Sequence, residues 1–114
     1  MQAMEAAKQL AQAIQESGEY QEYARLKEEI DSDAGLKSLV GEYRRLQTAL
    51  QMRMLSGQGM EEEEAQRFQS LNMLLFADSR TSSYLMAEMR LQKMMAEIFE
   101  TLTRAAGMDI PLPV

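Results

Sequence analysis

The 114 residues fit one domain of ordinary size, with no room for a second core. No cysteine and no histidine is present, which removes disulfides, thiolate nucleophiles and cysteine-ligated clusters along with the commonest general base and zinc ligand. A formal net charge of −6 opposes general attraction to nucleic acid, because phosphate binding needs a basic surface.

Apolar residues make up 46% of the chain but aromatics only 6%, so Leu, Ala and Met carry the hydrophobic mass. Such a set favours helices over strands and predicts an all-α fold. The eleven methionines have two uses, filling irregular gaps in a core and lining adaptable binding surfaces. We expect most to be core filler and the rest to surface a partner site. Met52, Met54, Met60, Met73, Met86 and Met89 are the candidates for the latter, since several lie off the clean apolar stripes. No apolar run approaches the roughly 18 residues that a membrane span needs, and the first residues carry acid and amide groups rather than a basic signal region. These features predict a cytoplasmic protein that makes no membrane contact.

Met4, Ala7, Leu10, Ala11 and Ile14 share one helical face and predict a first helix over 2–16. Ser17 and Gly18 interrupt the pattern, and the Ser17 hydroxyl is placed to cap the next helix. That second helix, 18–31, turns Tyr20, Tyr23, Leu26 and Ile30 inward. Asp33 is the expected N-cap of a third helix over 34–55, with Leu36, Leu39, Val40, Tyr43, Leu46 and Leu50 on its apolar side. The Ser56-Gly57-Gln58-Gly59 stretch ends it, because glycine just past a helix supplies the left-handed geometry that other residues avoid. Arg44, Arg45 and Arg53 form a loose basic group on this helix, suited to a solvated face or to pairing with the acids near Glu61.

Glu61 to Glu64 sit where the unpaired N–H groups at the start of a fourth helix favour negative charge. They are a poor metal site, since adjacent helical residues fan apart. The fourth helix points Ala65, Phe68, Leu71 and Leu75 inward and ends near Phe76. A fifth helix over 81–106 is the longest, with a hydroxyl among Thr81 to Ser83 as its cap. It bears two stripes: Tyr84, Leu91, Met95, Ile98, Leu102 and Ala105 on one, Leu85, Met89, Met94 and Phe99 on the other. Gly107 stops it. The domain thus covers 1–107, and 108–114 is an extended tail in which Ile110, Leu112 and Val114 alternate around two prolines. The expected architecture is a five-helix antiparallel bundle with two long helices, 34–55 and 81–106.

No acid, base, nucleophile or metal ligand stands at a spacing that suggests catalysis, and the SGQG stretch lacks the Lys-Ser/Thr of a phosphate loop. We therefore expect no enzyme, no catalytic residue, no bound metal and no cofactor. The two stripes of the fifth helix need cover on both sides, which a chain this short does not supply. A homodimer follows, with Met89, Met94, Phe99, Leu102, Ile110 and Leu112 as candidate dimer or partner contacts.

Two stretches also resemble a known family. Ala13, Ile14, Ser17, Glu19, Tyr20, Tyr23, Leu26 and Lys27 fit one of its helix-packing patterns, and Leu39, Tyr43, Arg44, Leu46 and Gln47 fit another. Over about residues 3–106 the sequence is similar to the YlbF/YmcA family of small helical regulators of Gram-positive bacteria. The resemblance implies an all-helical, usually dimeric protein that acts through protein partners. It implies roles in competence, sporulation, biofilm formation and assistance of an endoribonuclease in messenger RNA maturation. Some members hold an iron–sulfur cluster on cysteines; this chain has none, so that cofactor does not carry over. The contrasting reading is a structural module that assembles only with itself.

Overall fold

The computed structural model describes residues 1–108. Five helices follow in order: α1 (Gln2–Glu16), α2 (Gly18–Asp31), α3 (Ala34–Leu55), α4 (Glu62–Ala77) and α5 (Ser79–Ala106). The fold is all-α, and the described residues contain no strand. Ile110 and Leu112 of the expected tail lie outside the described residues.

Local chemistry sets most of the helix ends. The Ser17 hydroxyl accepts from the Tyr20 N–H at 3.2 Å and donates to the Ile14 carbonyl at 2.6 Å, so one side chain closes α1 and opens α2. Asp33 accepts from the N–H groups of Gly35 and Leu36 at 3.0 and 3.2 Å. Gly57, at φ +78°, ends α3: its N–H reaches the Met54 carbonyl while that of Gln58 reaches Arg53. Gly107, at φ +68°, ends α5 in the same way through Arg104 and Thr103. Both are Schellman ends, which need a left-handed residue that only glycine adopts freely.

The start of α5 differs from expectation. The helix begins at Ser79 rather than Thr81, and the Asp78 carboxylate receives the Arg80 N–H at 2.9 Å. Thr81 is wholly buried instead, its hydroxyl donating to the carbonyls of Leu75 and Asp78. Two carbonyls at the end of α4 find their partner there, which fixes the sharp corner into α5.

The chain gathers into two compact units, Met1–Arg25 with Leu85–Val114, and Leu26–Tyr84. In the second, α3 and α4 form an antiparallel hairpin, and Leu26, Ile30, Leu36, Val40, Leu71, Leu75 and Tyr84 are buried. A fully buried aliphatic side chain such as Leu71 or Leu75 contributes about 1.5–3 kcal/mol relative to exposure. Tyr43 stacks on Phe68 with ring centroids 5.2 Å apart. Ion pairs clasp the hairpin along its length: Arg53 to Glu64 at 2.8 Å, and Arg67 to Glu42 at 2.7 Å. The pairing expected between the α3 arginines and the acids near Glu61 is thus realised by Arg53.

The other unit is open by comparison. Among its described residues Leu85 and Ala87 are buried, and α1 has no buried residue. The inward line of α5 differs from the sequence reading. Ala87 is buried and Leu91, Met94 and Ile98 are half-buried, whereas Met95 and Ala105, placed on the main stripe, are exposed. Steps of 4, 3 and 4 along 87, 91, 94 and 98 follow the same period; the seam is turned by one residue from the one expected at Met95.

Candidate interaction surfaces

None of the eleven methionines is buried: nine are exposed, and Met60 and Met94 are half-buried. The expectation that most fill the core is therefore wrong. Leu, Ile and Val, with Tyr84 and Ala87, make the core instead, and the flexible thioethers lie outside it. Of the six methionines singled out for partner contact, five are exposed and Met60 is half-buried.

In the first unit, α1 presents Met4, Ala7 and Ala11 openly and tucks Leu10 and Ile14 only halfway in. Leu10 shares with Met94, Glu97, Ile98, Thr101 and Leu102 of α5 a groove of about 270 Å³. Leu102 is 54% exposed and Met89 63%, while Phe99 is half-buried. The structure therefore brings Met94 and Leu102 together on one groove and leaves Met89 farther up the same helix, in solvent. An ion pair from Arg90 to Glu22 at 3.3 Å links α5 to the first half of α2.

In the second unit, Arg45, Thr48, Ala49 and Met52 on the outer side of α3, with Arg44 at their border, line a shallow groove of about 380 Å³. Leu55, one further turn along, is 89% exposed. Arg44 turns toward the core instead: its Nη2 donates to the Tyr84 hydroxyl at 3.2 Å, and its guanidinium carbon lies 5.8 Å from that ring's centroid. Met73, Leu74 and Phe76 are exposed at the far end of α4. Sequence reasoning flagged Met52 and Met73 as single residues but missed the continuous α3 surface, because it treated the arginines as a separate feature.

Charge does not converge into a reactive centre among the described residues. The displaced proton affinities belong to surface ion pairs. Hydrogen bonding from Arg67 holds the Glu42 carboxyl below its usual range and raises Arg67 in turn. Arg80 does the same to Asp78 and is itself raised by that carboxylate. No group of three acidic residues among those described is gathered as a cation would require. No helix of the described chain is long and apolar enough to cross a membrane.

Residues 3–105 match the family described as Control of competence regulator ComK, YlbF/YmcA. The chain belongs to the YlbF/YmcA family. Among relatives of this YlbF/YmcA chain, a UPF0342 protein of Symbiobacterium thermophilum is 28% identical over 102 residues, covering 90% of this chain and 91% of the relative. A UPF0342 protein of Staphylococcus saprophyticus is 33% identical, with 86% of each covered. A Bacillus stearothermophilus protein of unknown function (DUF964) shares the fold at a TM-score of 0.77 and 20% identity, over 94% of both chains. So does a chain of the crystal structure of Bacillus subtilis RicA in complex with RicF, at a TM-score of 0.62 and 16% identity, over 93% of this chain and 94% of the other.

Proposed function

We propose that this YlbF/YmcA chain is a non-enzymatic regulatory adaptor that works through protein–protein contact, with a homodimer as its basic form. The observation that carries the reading is α1, a fifteen-residue helix with an apolar face and no buried residue. A helix of that length is marginal in water unless its apolar face is packed. The open face of α1, the groove beside Leu10 and the exposed Leu102 together ask for cover by further helices, and twofold pairing with a second copy is the commonest source. Met94, Phe99 and Leu102 belong to the seam in this reading, with Met89 at its edge. The crystal structure of RicA in complex with RicF, one chain of which has this fold, supports contact of this kind.

The regulatory adaptor is favoured over a module that binds only itself by apolar surface elsewhere. Met52, Met54, Leu55, Met73, Leu74 and Phe76 are exposed in the second unit, where a seam on α1 and α5 does not use them. We assign the protein to the cytoplasm, acting without cofactor or metal. Its net charge of −6 speaks against direct contact with nucleic acid. The inherited roles are those of its family, in competence, sporulation, biofilm formation and support of messenger RNA processing.

Light scattering after gel filtration tests the assembly. Twice 13.0 kDa at micromolar concentration is the expected mass, and a value near 13.0 kDa overturns the dimer. Phe99→Glu and Leu102→Glu should give monomer; full dimer in both moves the seam off α5. The adaptor reading is tested by purifying the tagged protein from its native host under crosslinking: recovery of a second copy alone overturns it.

A further inference from the structure

We infer that the outer side of α3, from Arg45 to Leu55, is the docking site for an acidic amphipathic helix of a partner protein. This rests on the adaptor reading and names the surface and the chemistry it recognises. Arg45, Thr48, Ala49, Met52 and Leu55 recur at steps of 3, 1, 3 and 3, so they form one stripe of three turns, about 15 Å long at 1.5 Å per residue. Arg45, Thr48, Met52 and Leu55 are exposed, and Ala49 is half-buried between them. The small side chains of Thr48 and Ala49 make the floor of the 380 Å³ groove, with Arg45 at one end and Met52 at the other.

The stripe is held ready for a ligand. Its C-terminal end is closed by the Schellman turn at Gly57, and the Ser56 hydroxyl bonds to the carbonyls of Met52 and Arg53 at 3.2 and 3.0 Å. Arg53, on the inner side of the same turn, is anchored to Glu64 at 2.8 Å. Leu55 and Met52 therefore stand on a fixed backbone, so binding has only their side chains to order.

Charge selects the occupant. Arg45 is exposed at the head of an apolar groove on a chain whose net charge is −6. The neighbouring carboxylate, Glu42, feels the charge of Arg45 but is bonded through both oxygens to Arg67, while Arg44 borders the groove from its place on Tyr84. An incoming helix with apolar residues at i, i+3/i+4 and i+7 fits three turns of stripe, and a Glu or Asp at its end meets Arg45. The described chain has no strand edge that an extended peptide could join, which leaves the helix as the fitting form. A second copy is the poorer occupant, because the seam proposed between copies already uses the open faces of α1 and α5. Nucleic acid is poorer still, since two arginines beside an apolar floor, on a chain of net charge −6, give a phosphate backbone no continuous basic track.

The test uses the full chain and two fluorescein-labelled sixteen-residue helical peptides with the same Leu spacing, one Glu-rich and one with Lys in place of each Glu. Anisotropy should show saturable binding of the Glu peptide, at least tenfold weaker binding of the Lys peptide, and loss of affinity in 0.5 M NaCl. Arg45→Glu and Met52→Glu, each checked for helicity by circular dichroism, should weaken the Glu peptide at least tenfold, and Ser70→Lys on α4 should not. Failure of the Glu peptide to saturate, equal binding of both peptides, or indifference to Met52→Glu overturns the site. So does displacement by single-stranded RNA, which would make it a phosphate site, or a fall in mass by light scattering for Met52→Glu, which would make it a contact between copies. Phe99→Glu separates the two proposals: a monomer that still binds the peptide keeps this site independent of the dimer seam. An intact dimer that binds no peptide removes this site alone.

Discussion

Both nitrogens of the Arg67 fork meet both oxygens of Glu42, Nε to Oε1 and Nη2 to Oε2, each at 2.7 Å. The pair joins the middle of α3 to the first turns of α4. It lies in solvent, where such pairs stabilise little, yet its two-pronged geometry is the kind that contributes when any does.

That geometry predicts an acid dependence. Hydrogen bonding to Arg67 lowers the Glu42 pKa from an ordinary value of 4.5, so the folded state holds this proton less tightly than the unfolded state. The contribution to stability is present above pH 4.5 and is lost as pH falls through the lower folded value. Asp78, lowered by Arg80, acts with the same sign from an ordinary value of 3.8. Thermal melts between pH 7 and 3 should show a smaller acid-side drop for Glu42→Gln than for the parent protein. An unchanged drop would mean that the pair contributes nothing.

Thr81 should be the most sensitive polar position of the corner between α4 and α5. Thr81→Val keeps the shape but removes the hydroxyl that serves the Leu75 and Asp78 carbonyls. Leaving buried acceptors unpaired costs about 1–3 kcal/mol. Thr81→Ser retains the hydroxyl and should lose less. Urea melts of the two variants decide the point, and a lower midpoint for Thr81→Ser than for Thr81→Val would show that packing of the methyl group matters more there.

Two glycines should respond in opposite directions. At Gly41, within α3, a Cβ would meet the Arg45 guanidinium at an ordinary 3.5 Å, so Gly41→Ala should stabilise by about 0.5–1 kcal/mol through helix propensity. At Gly57 the φ of +78° disfavours any side chain, and Gly57→Ala should destabilise by about 1–2 kcal/mol. Denaturant midpoints that move the same way for both would contradict this account.

How much of this was legible follows the distance over which each feature is determined. Ser17, Asp33, Gly57 and Gly107 act on backbone groups within a few residues of themselves, and they do what their neighbours in sequence suggest. Thr81 does not: its partner carbonyl on Leu75 lies six residues back across a corner whose angle no local pattern states. The one-residue turn from Met95 to Met94 arises because adjacent methionines satisfy either seam equally well, and only the packed neighbours choose. Periodicity identified the apolar face of α1 correctly, but a pattern says which side is apolar and not how much the rest of the chain covers it. The α3 surface was hidden for a related reason, since Arg45 and Met52 belong to different chemical classes and join only as a stripe.

The exposure of α1 leads to the last prediction, that its backbone protection depends on protein concentration. A fifteen-residue helix without a buried side chain opens readily by itself, whereas α4 is anchored by Leu71 and Leu75, both wholly buried. If a second copy covers Met4, Ala7 and Leu10, association supplies the burial that the single chain lacks, and opening of α1 then requires separation first. Hydrogen exchange should therefore find the α1 amides fast at nanomolar concentration and slow at tens of micromolar, with α4 unchanged between the two. Leu102→Glu should hold α1 in the fast regime at both concentrations. Slow exchange of α1 in a sample whose mass is 13.0 kDa would mean that the single chain protects this helix unaided, and the case for a seam on α1 and α5 would fall with it.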